Sequence, residues 1–190
     1  PGGQDSYEKL IASVRPSMAT IRVTGRDGNQ IQMGTGFVVD AEGLIATNFH
    51  VIGEGRSFSV QTSSGRKLPV LAVEASDRTN DLALLRVDVA DKPLAALKLA
   101  DAQQPAQGTR GLAVGNPLGL QNSVVAGIVS AVREVEGREM IQLAMPIEQG
   151  NSGGPLVDMD GKVRGIINMK SAIDDNLGFA IPIGQLASLR

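Results

Sequence analysis

The chain contains no cysteine. Disulfides, thiol nucleophiles and thiolate metal sites are therefore excluded. The absence is silent on compartment, because an oxidising compartment permits disulfides without requiring them. Histidine is almost as scarce: His50 is the only one. Zinc sites built from several His or Cys are ruled out. Any chemistry that needs an imidazole base must use His50. A basic excess is missing too. Lys and Arg total 18 against 20 Asp and Glu, a net charge of -2, which argues against nucleic-acid binding. No apolar run approaches the roughly 20 residues that cross a bilayer, so no membrane insertion is expected of this chain. The start, Pro1-Gly2-Gly3-Gln4, lacks the charged-then-apolar layout of a signal peptide, so any leader is expected to have been removed.

What is present suits a β-rich globular chain. Its 190 residues fit one domain or two tightly fused halves, and 42% hydrophobic residues are enough for a core. Residues 5–15 read as a helix. Tyr7, Leu10, Ile11 and Val14 make one apolar stripe at helical spacing, Asp5 with Glu8 fits a capping pair, and Pro16 ends the segment. Short β-rich runs follow, such as Ile21-Arg22-Val23-Thr24, Phe37-Val38-Val39, Leu44-Ile45-Ala46-Thr47, Leu82-Ala83-Leu84-Leu85-Arg86-Val87 and Val163-Arg164-Gly165-Ile166-Ile167. They are punctuated by Asp27-Gly28, Glu42-Gly43, Ser64-Gly65, Glu136-Gly137 and Asp160-Gly161, pairs that supply the positive φ of tight hairpins. About a dozen strands at a spacing of about 8–12 residues suggest a sandwich or barrel, and no helices alternate with them as a parallel sheet would need. Residues 92–108 are poor in β-branched side chains and read as a connection between two β halves, roughly 17–100 and 108–182. Ile183, Leu186 and Leu189 fit a short C-terminal helix.

The sharpest segment is Gly150-Asn151-Ser152-Gly153-Gly154-Pro155. Glycines around one Ser describe either a tight turn or a nucleophile on a constrained turn. In the second case the N–H groups of Gly150 and Ser152 can point at one oxygen and form an oxyanion hole. The letters also fit the nucleophile elbow of α/β-hydrolases, but that fold runs Ser, acid, His, and here the only His precedes Ser152. The subtilisin order, Asp, His, Ser, needs an early acid such as Asp40 and a helix-rich α/β chain. The order His, Asp, Ser on a β-rich chain remains, as in chymotrypsin. His50 follows the apolar run Leu44–Thr47. The acid that holds its tautomer is expected to be Asp81, at the edge of the run Leu82–Leu85. Asp77, beside Arg78, reads as a solvated turn charge.

At this point the sequence resembles a known family. Gly34-Thr35-Gly36-Phe37-Val38-Val39, Thr47-Asn48-Phe49-His50-Val51, Asn80-Asp81-Leu82-Ala83-Leu84-Leu85, Ala113-Val114-Gly115-Asn116-Pro117-Leu118-Gly119 and Gly150-Asn151-Ser152-Gly153-Gly154-Pro155-Leu156 are similar to the blocks of HtrA (Deg) trypsin-like serine proteases. Val14-Arg15-Pro16-Ser17 and Gly178-Phe179-Ala180-Ile181-Pro182 also match, and the blocks occur in family order. The resemblance implies an all-β, chymotrypsin-like fold of two perpendicular six-stranded barrels, with short N- and C-terminal helices and the site in the cleft between the barrels. It implies that 1–190 is a single protease domain, without the PDZ domain that often follows in the family. It implies a serine endopeptidase of protein quality control, cutting unfolded or damaged proteins through an acyl-enzyme. The family's setting is the cell envelope, the periplasm or an organelle, and its members often form homotrimers. The triad would be His50, Asp81 and Ser152, with no metal or cofactor. A peptide-binding or chaperone module with little turnover is the alternative.

The chain departs from the family in places. The run Gln142-Leu143-Ala144-Met145-Pro146-Ile147 stands where the family often has Thr-Asp-Ala, and the stretch from Asn168 to Gly178 is short. By resemblance the specificity pocket has Pro146 at its floor beside Met145 and Ile147, and a far wall from Ile167, Asn168 and Met169 with Gly178, Phe179 and Ala180. No carboxylate stands at the floor, so small or medium aliphatic residues are expected on the acyl side of the cut, provided Glu148 stays solvated. Asn151 stands where many digestive relatives carry an Asp that pairs with a new N-terminus. Asn cannot make that ion pair, so activation by such a cleavage is not expected. Other motifs read as structure. Gly34-x-Gly36 and Gly115-x-x-x-Gly119 lack the third glycine of a dinucleotide loop. Asp158-Met159-Asp160-Gly161 reads as a hairpin turn rather than a calcium loop, and residues 133–139 as a solvated hairpin.

Overall fold

Alternating apolar residues set where each strand faces, and several segments here, among them Leu44–Thr47 and Leu82–Val87, are buried on both faces. The computed structural model describes residues 4–53, 55–115, 123–148, 150–170 and 177–189. Helix α1, Gln4–Val14, leads through a 3-10 turn, Arg15–Ser17, into the first strand. Asp5 sits inside the first turn of α1 rather than ahead of it, and its side chain, with the capping pair expected of it, lies outside the described residues.

The first barrel contains β1 (Met18–Thr24), β2 (Gln30–Asp40), β3 (Leu44–Thr47), β4 (Ser57–Thr62), β5 (Lys67–Asp77) and β6 (Leu82–Val87). It closes in the order β1-β2-β3-β6-β5-β4. A four-residue helix, α2 (Phe49–Ile52), follows β3 and carries His50. The second barrel contains β8 (Arg110–Gly115), β9 (Ser123–Val135), β10 (Arg138–Ala144), β11 (Pro155–Asp158), β12 (Lys162–Lys170) and β13 (Leu177–Pro182). These run β11-β8-β9-β10-β13-β12, and β11 pairs with β12 to close the ring. The connection between the halves contributes β7 (Lys98–Leu99), which joins β12 in parallel and so belongs to the second sheet. Helix α3, Ile183–Ala187, follows β13 and stops before Leu189, which lies in the turn after it. The fold is thus all-β, with two six-stranded barrels. Val124, Val125, Ile128 and Val129 all lie in one long strand, β9.

Glycine makes the expected turns: in all five X-Gly pairs the glycine has positive φ, from 75° at Gly137 to 95° at Gly43.

Three apolar clusters hold the molecule. Ala19, Ile21, Val38, Ile45, Leu85 and Val87 fill the first barrel. Ala113, Ile141, Leu143, Leu156, Ile167 and Ala180 fill the second. A third cluster joins the other faces of the same strands: Phe37, Leu44, Leu82 and Leu84 meet Leu112, Met140, Val157, Ile166 and Ile181, and α1 adds Leu10 and Val14. This explains the unbroken run Leu82–Leu85. Leu82 and Leu84 face the second barrel, while Ala83 and Leu85 face the core of the first. Each fully buried Leu or Ile contributes about 1.5–3 kcal/mol, so the layer between the barrels is as strong a constraint as either core.

Candidate active site

The site is assembled at the rim of this layer. His50 sits on α2, directly after β3, with a side chain 46% exposed. Helix α2 packs tightly on β2, where a Cβ on Gly34 would stand 2.6 Å from Val51 Cγ1. Gln32 Nε2 donates to His50 O at 2.9 Å.

Asp81 is held by the turn that precedes β6. Asp77 accepts from the backbone N–H of Asn80 at 2.9 Å and from its side-chain Nδ2 at 2.7 Å. These two donors hold the Asp77 carboxyl below the ordinary carboxylate range. Asp77 is therefore the turn's cap and not a partner of the imidazole. The turn leaves Asp81 at φ 55°, a left-handed conformation that Asp tolerates better than most residues. From there Asp81 O accepts from Phe49 N and Asn48 Nδ2, each at 3.1 Å. Its carboxylate receives His50 N on Oδ1 at 2.8 Å and His50 Nδ1 on Oδ2 at 2.6 Å. An acceptor-only carboxylate at Nδ1 makes that nitrogen the donor, which leaves Nε2 as the basic nitrogen of the neutral ring. A third donor comes from the second barrel: Asn168 Nδ2 also bonds Asp81 Oδ2.

Ser152 lies on the turn that leads into β11. Asn151 N donates to Glu148 O at 3.1 Å, Gly154 N to Asn151 O at 2.9 Å, and Gly153 N to Ile167 O at 2.9 Å. Gly153 has φ +85°, and a Cβ there would stand 2.1 Å from Thr35 O, so no other residue fits without strain. Ser152 Oγ donates to Asn168 O at 2.8 Å. No hydrogen bond between Ser152 and His50 occurs among those of the described residues. Both residues nonetheless line one cleft of about 490 Å³, with Gln32, Met33 and Gly34 on the first barrel and Gly150 on the second.

The structure brings His50, Asp81, Ser152 and Gly150 together, and it adds Asn168 and Thr35. Asn168, expected in a pocket wall, instead turns its side chain to Asp81 and its carbonyl to Ser152. Of the other pocket residues, Ile147 and Ile167 are packed in the second barrel's core, at 3% and 0% exposure: Ile167 faces inward from β12, and Ile147 joins the same cluster from the segment after β10. Pro146 and Glu148 are exposed. The side chain of Met169 lies outside the described residues, as do Gln149, Asn116–Gly119 of the quoted block and most of the short stretch before Gly178. Asn151 is buried, with Oδ1 lacking a partner among the described residues and lying where a Cβ on Gly115 would stand 2.2 Å away. A charged Asp in that place would need a cation. Asp158 closes its hairpin by accepting from Asp160 N and Lys162 N at 3.0 Å and from Arg164 Nε at 2.6 Å.

Two barrels sharing a cleft lined by a carboxylate-bound histidine and a glycine-bracketed serine define the trypsin-like peptidase domain. The chain belongs to that family, which matches it over residues 34–166. It is 36% identical over 190 residues to the mitochondrial serine protease HTRA2 of Bos taurus, covering 93% of this chain and 41% of that protein. It is 38% identical over 178 residues to the periplasmic serine endoprotease DegP of Salmonella typhimurium, covering 87% of this chain and 37% of that protein. The chain thus spans less than half the length of these two curated relatives. Among solved structures it is similar to a serine endoprotease from Yersinia pestis, with a TM-score of 0.84 and 31% identity over 96% of this chain and 64% of the other.

Proposed function

We propose that the chain is a serine endopeptidase domain that cuts unfolded or damaged polypeptides through an acyl-enzyme. The observation that carries this reading is the 2.6 Å bond from His50 Nδ1 to Asp81 Oδ2 beside Ser152 in a shared cleft. In the proposed reaction Ser152 Oγ turns from Asn168 O towards His50 Nε2 by rotation about its Cα–Cβ bond. His50 takes the hydroxyl proton as Oγ attacks the peptide carbonyl. The N–H groups of Gly150 and Ser152 hold the oxyanion, and Asp81 keeps the tautomer and stabilises the imidazolium. His50 then protonates the leaving amine, and water repeats the sequence on the acyl-enzyme. Small or medium aliphatic residues are proposed on the acyl side of the cut. The exposed Pro146 and Glu148 support this, since they leave no buried carboxylate at the expected floor.

The Ser152–Asn168 O bond favours a second reading, a peptide-binding or chaperone module with little turnover. Labelling with a fluorophosphonate separates the two. Rapid labelling of the wild-type chain that is lost in Ser152→Ala, together with casein cleavage lost in the same variant, supports the protease. Absent labelling of a folded wild-type chain overturns it. By resemblance we also propose a homotrimer, testable by light scattering, and an envelope or organellar setting, which agrees with relatives named for the periplasm and for mitochondria.

A further inference from the structure

We propose that Thr35 is a positioning residue for the oxyanion hole, acting from the first barrel on a loop that belongs to the second. This rests on the reading of Ser152 as nucleophile. Thr35 is fully buried in β2, where it pairs with Thr20 of β1. Its side-chain Oγ1 donates to Gly150 O at 2.6 Å, and its backbone N–H donates to Ser152 O at 3.2 Å. Its own carbonyl accepts from Thr47 Oγ1 at 2.8 Å. One residue therefore holds two carbonyls of the nucleophile loop.

The two carbonyls matter because of what lies around them. The proposed oxyanion donors are the N–H groups of Gly150 and Ser152. The peptide that joins Gly150 to Asn151 lies between those donors, and it is planar, so the direction of Gly150 C=O sets the direction of the whole unit. Gly150 has φ 102°, a region where only glycine turns freely, and no side chain of its own limits that rotation. The Thr35 hydroxyl supplies the missing restraint. It fixes the intervening peptide while its backbone N–H fixes the far side of Ser152. Both donors then face one point before substrate arrives, and such preorganisation is what gives oxyanion stabilisation its strength.

The proposal separates a hydroxyl from its shape. Thr35→Val keeps the branched side chain and removes the donor, and Thr35→Ser keeps the donor and removes a methyl. Rates are referred to the folded fraction measured by circular dichroism. Thr35→Val is expected to lose roughly 10- to 100-fold in kcat, less than or equal to the loss of an oxyanion donor itself, with KM little changed. Its affinity for a peptide boronate, which forms a tetrahedral adduct on the serine, should fall in parallel, while its affinity for an uncleaved peptide should not. Thr35→Ser should keep the kcat and the boronate affinity of the wild type. Thr35→Ala serves if the valine variant does not fold, with the same expectation. A wild-type rate in Thr35→Val or Thr35→Ala overturns the proposal and leaves the protease reading intact. So does a Thr35→Ser variant as slow as Thr35→Val, or the failure of both Thr35→Val and Thr35→Ala to fold, which would make the hydroxyl a folding element. Failure of the wild-type chain to react with a fluorophosphonate overturns both.

Discussion

Asn168 Nδ2 donates to Asp81 Oδ2, so the acid of the first barrel is partly oriented by a residue of the second. Hydrogen bonds to charged groups contribute about 1.5–3 kcal/mol, so Asn168→Ala should lower kcat by roughly 10- to 100-fold. Asn168→Asp should be worse, because it sets a second carboxylate against Asp81. Steady-state kinetics on a cleaved peptide checks both, and an Asn168→Asp variant as fast as the wild type contradicts this role.

Replacing Asp81 tests the tautomer argument. Asp81→Asn should reduce kcat by roughly 10⁴, the loss found when the buried Asp of a serine protease triad is so replaced. Asp77→Asn should leave kcat near the wild-type value, because Asp77 bonds Asn80 and not His50. The opposite ranking would assign the acid to Asp77.

The turn at Asp77 carries a pH signature of its own. Its folded value lies below the ordinary 3.8, so its contribution to stability is fully present above that value. The contribution is lost as pH falls through the lower, folded value. Asp77→Asn cannot titrate. Denaturant melts of the two chains should therefore differ by a constant amount from neutral pH down to about pH 4, and the difference should shrink below it. A gap that grows on acidification would contradict the assignment.

Gly153→Ala should destabilise the fold as well as stop catalysis. The added Cβ would meet Thr35 O at 2.1 Å, in a backbone at φ +85°. Strain of this kind costs at least about 2 kcal/mol. The melting temperature should fall by about 4–8 °C for a chain of this size.

Cleavage preference is read by sequencing the peptides released from an unfolded protein. Val, Ile, Leu or Ala should dominate on the acyl side, with a broad profile, because one methylene changes discrimination only about 10- to 200-fold. A strong Lys or Arg signature would mean that Glu148, exposed in this structure, turns inward to receive a cation.

Much of the architecture was legible because it depends on local rules. The X-Gly pairs predicted hairpins, and those glycines adopt positive φ. The sequence also separated Asp77 from Asp81 by their neighbours: one stands in a polar turn and one at the mouth of an apolar strand. Strand β5 was harder to see, since Pro69 interrupts it and Leu71 and Val73 face solvent. Strand β7 has two residues and exists only because β12 offers an edge. The roles of Thr35 and Asn168 were the least legible. Both depend on contacts between residues far apart in the chain, and neither side chain belongs to a type that announces catalysis. The family resemblance places Asn168 in a pocket wall, but the Asp81 carboxylate offers its amide a charged acceptor.

The apolar layer between the barrels has a further consequence. His50 and Asp81 come from one half of the chain, Ser152 and Asn168 from the other, so neither half possesses a complete site. Phe37, Leu82 and Leu84 meeting Leu112, Met140 and Ile181 act as the mould that sets the distance between them. The two halves are therefore complementary fragments: a cut in the connection between β6 and β8 need not end activity while the layer holds, and a mutation within the layer can silence the site without touching any residue that does chemistry.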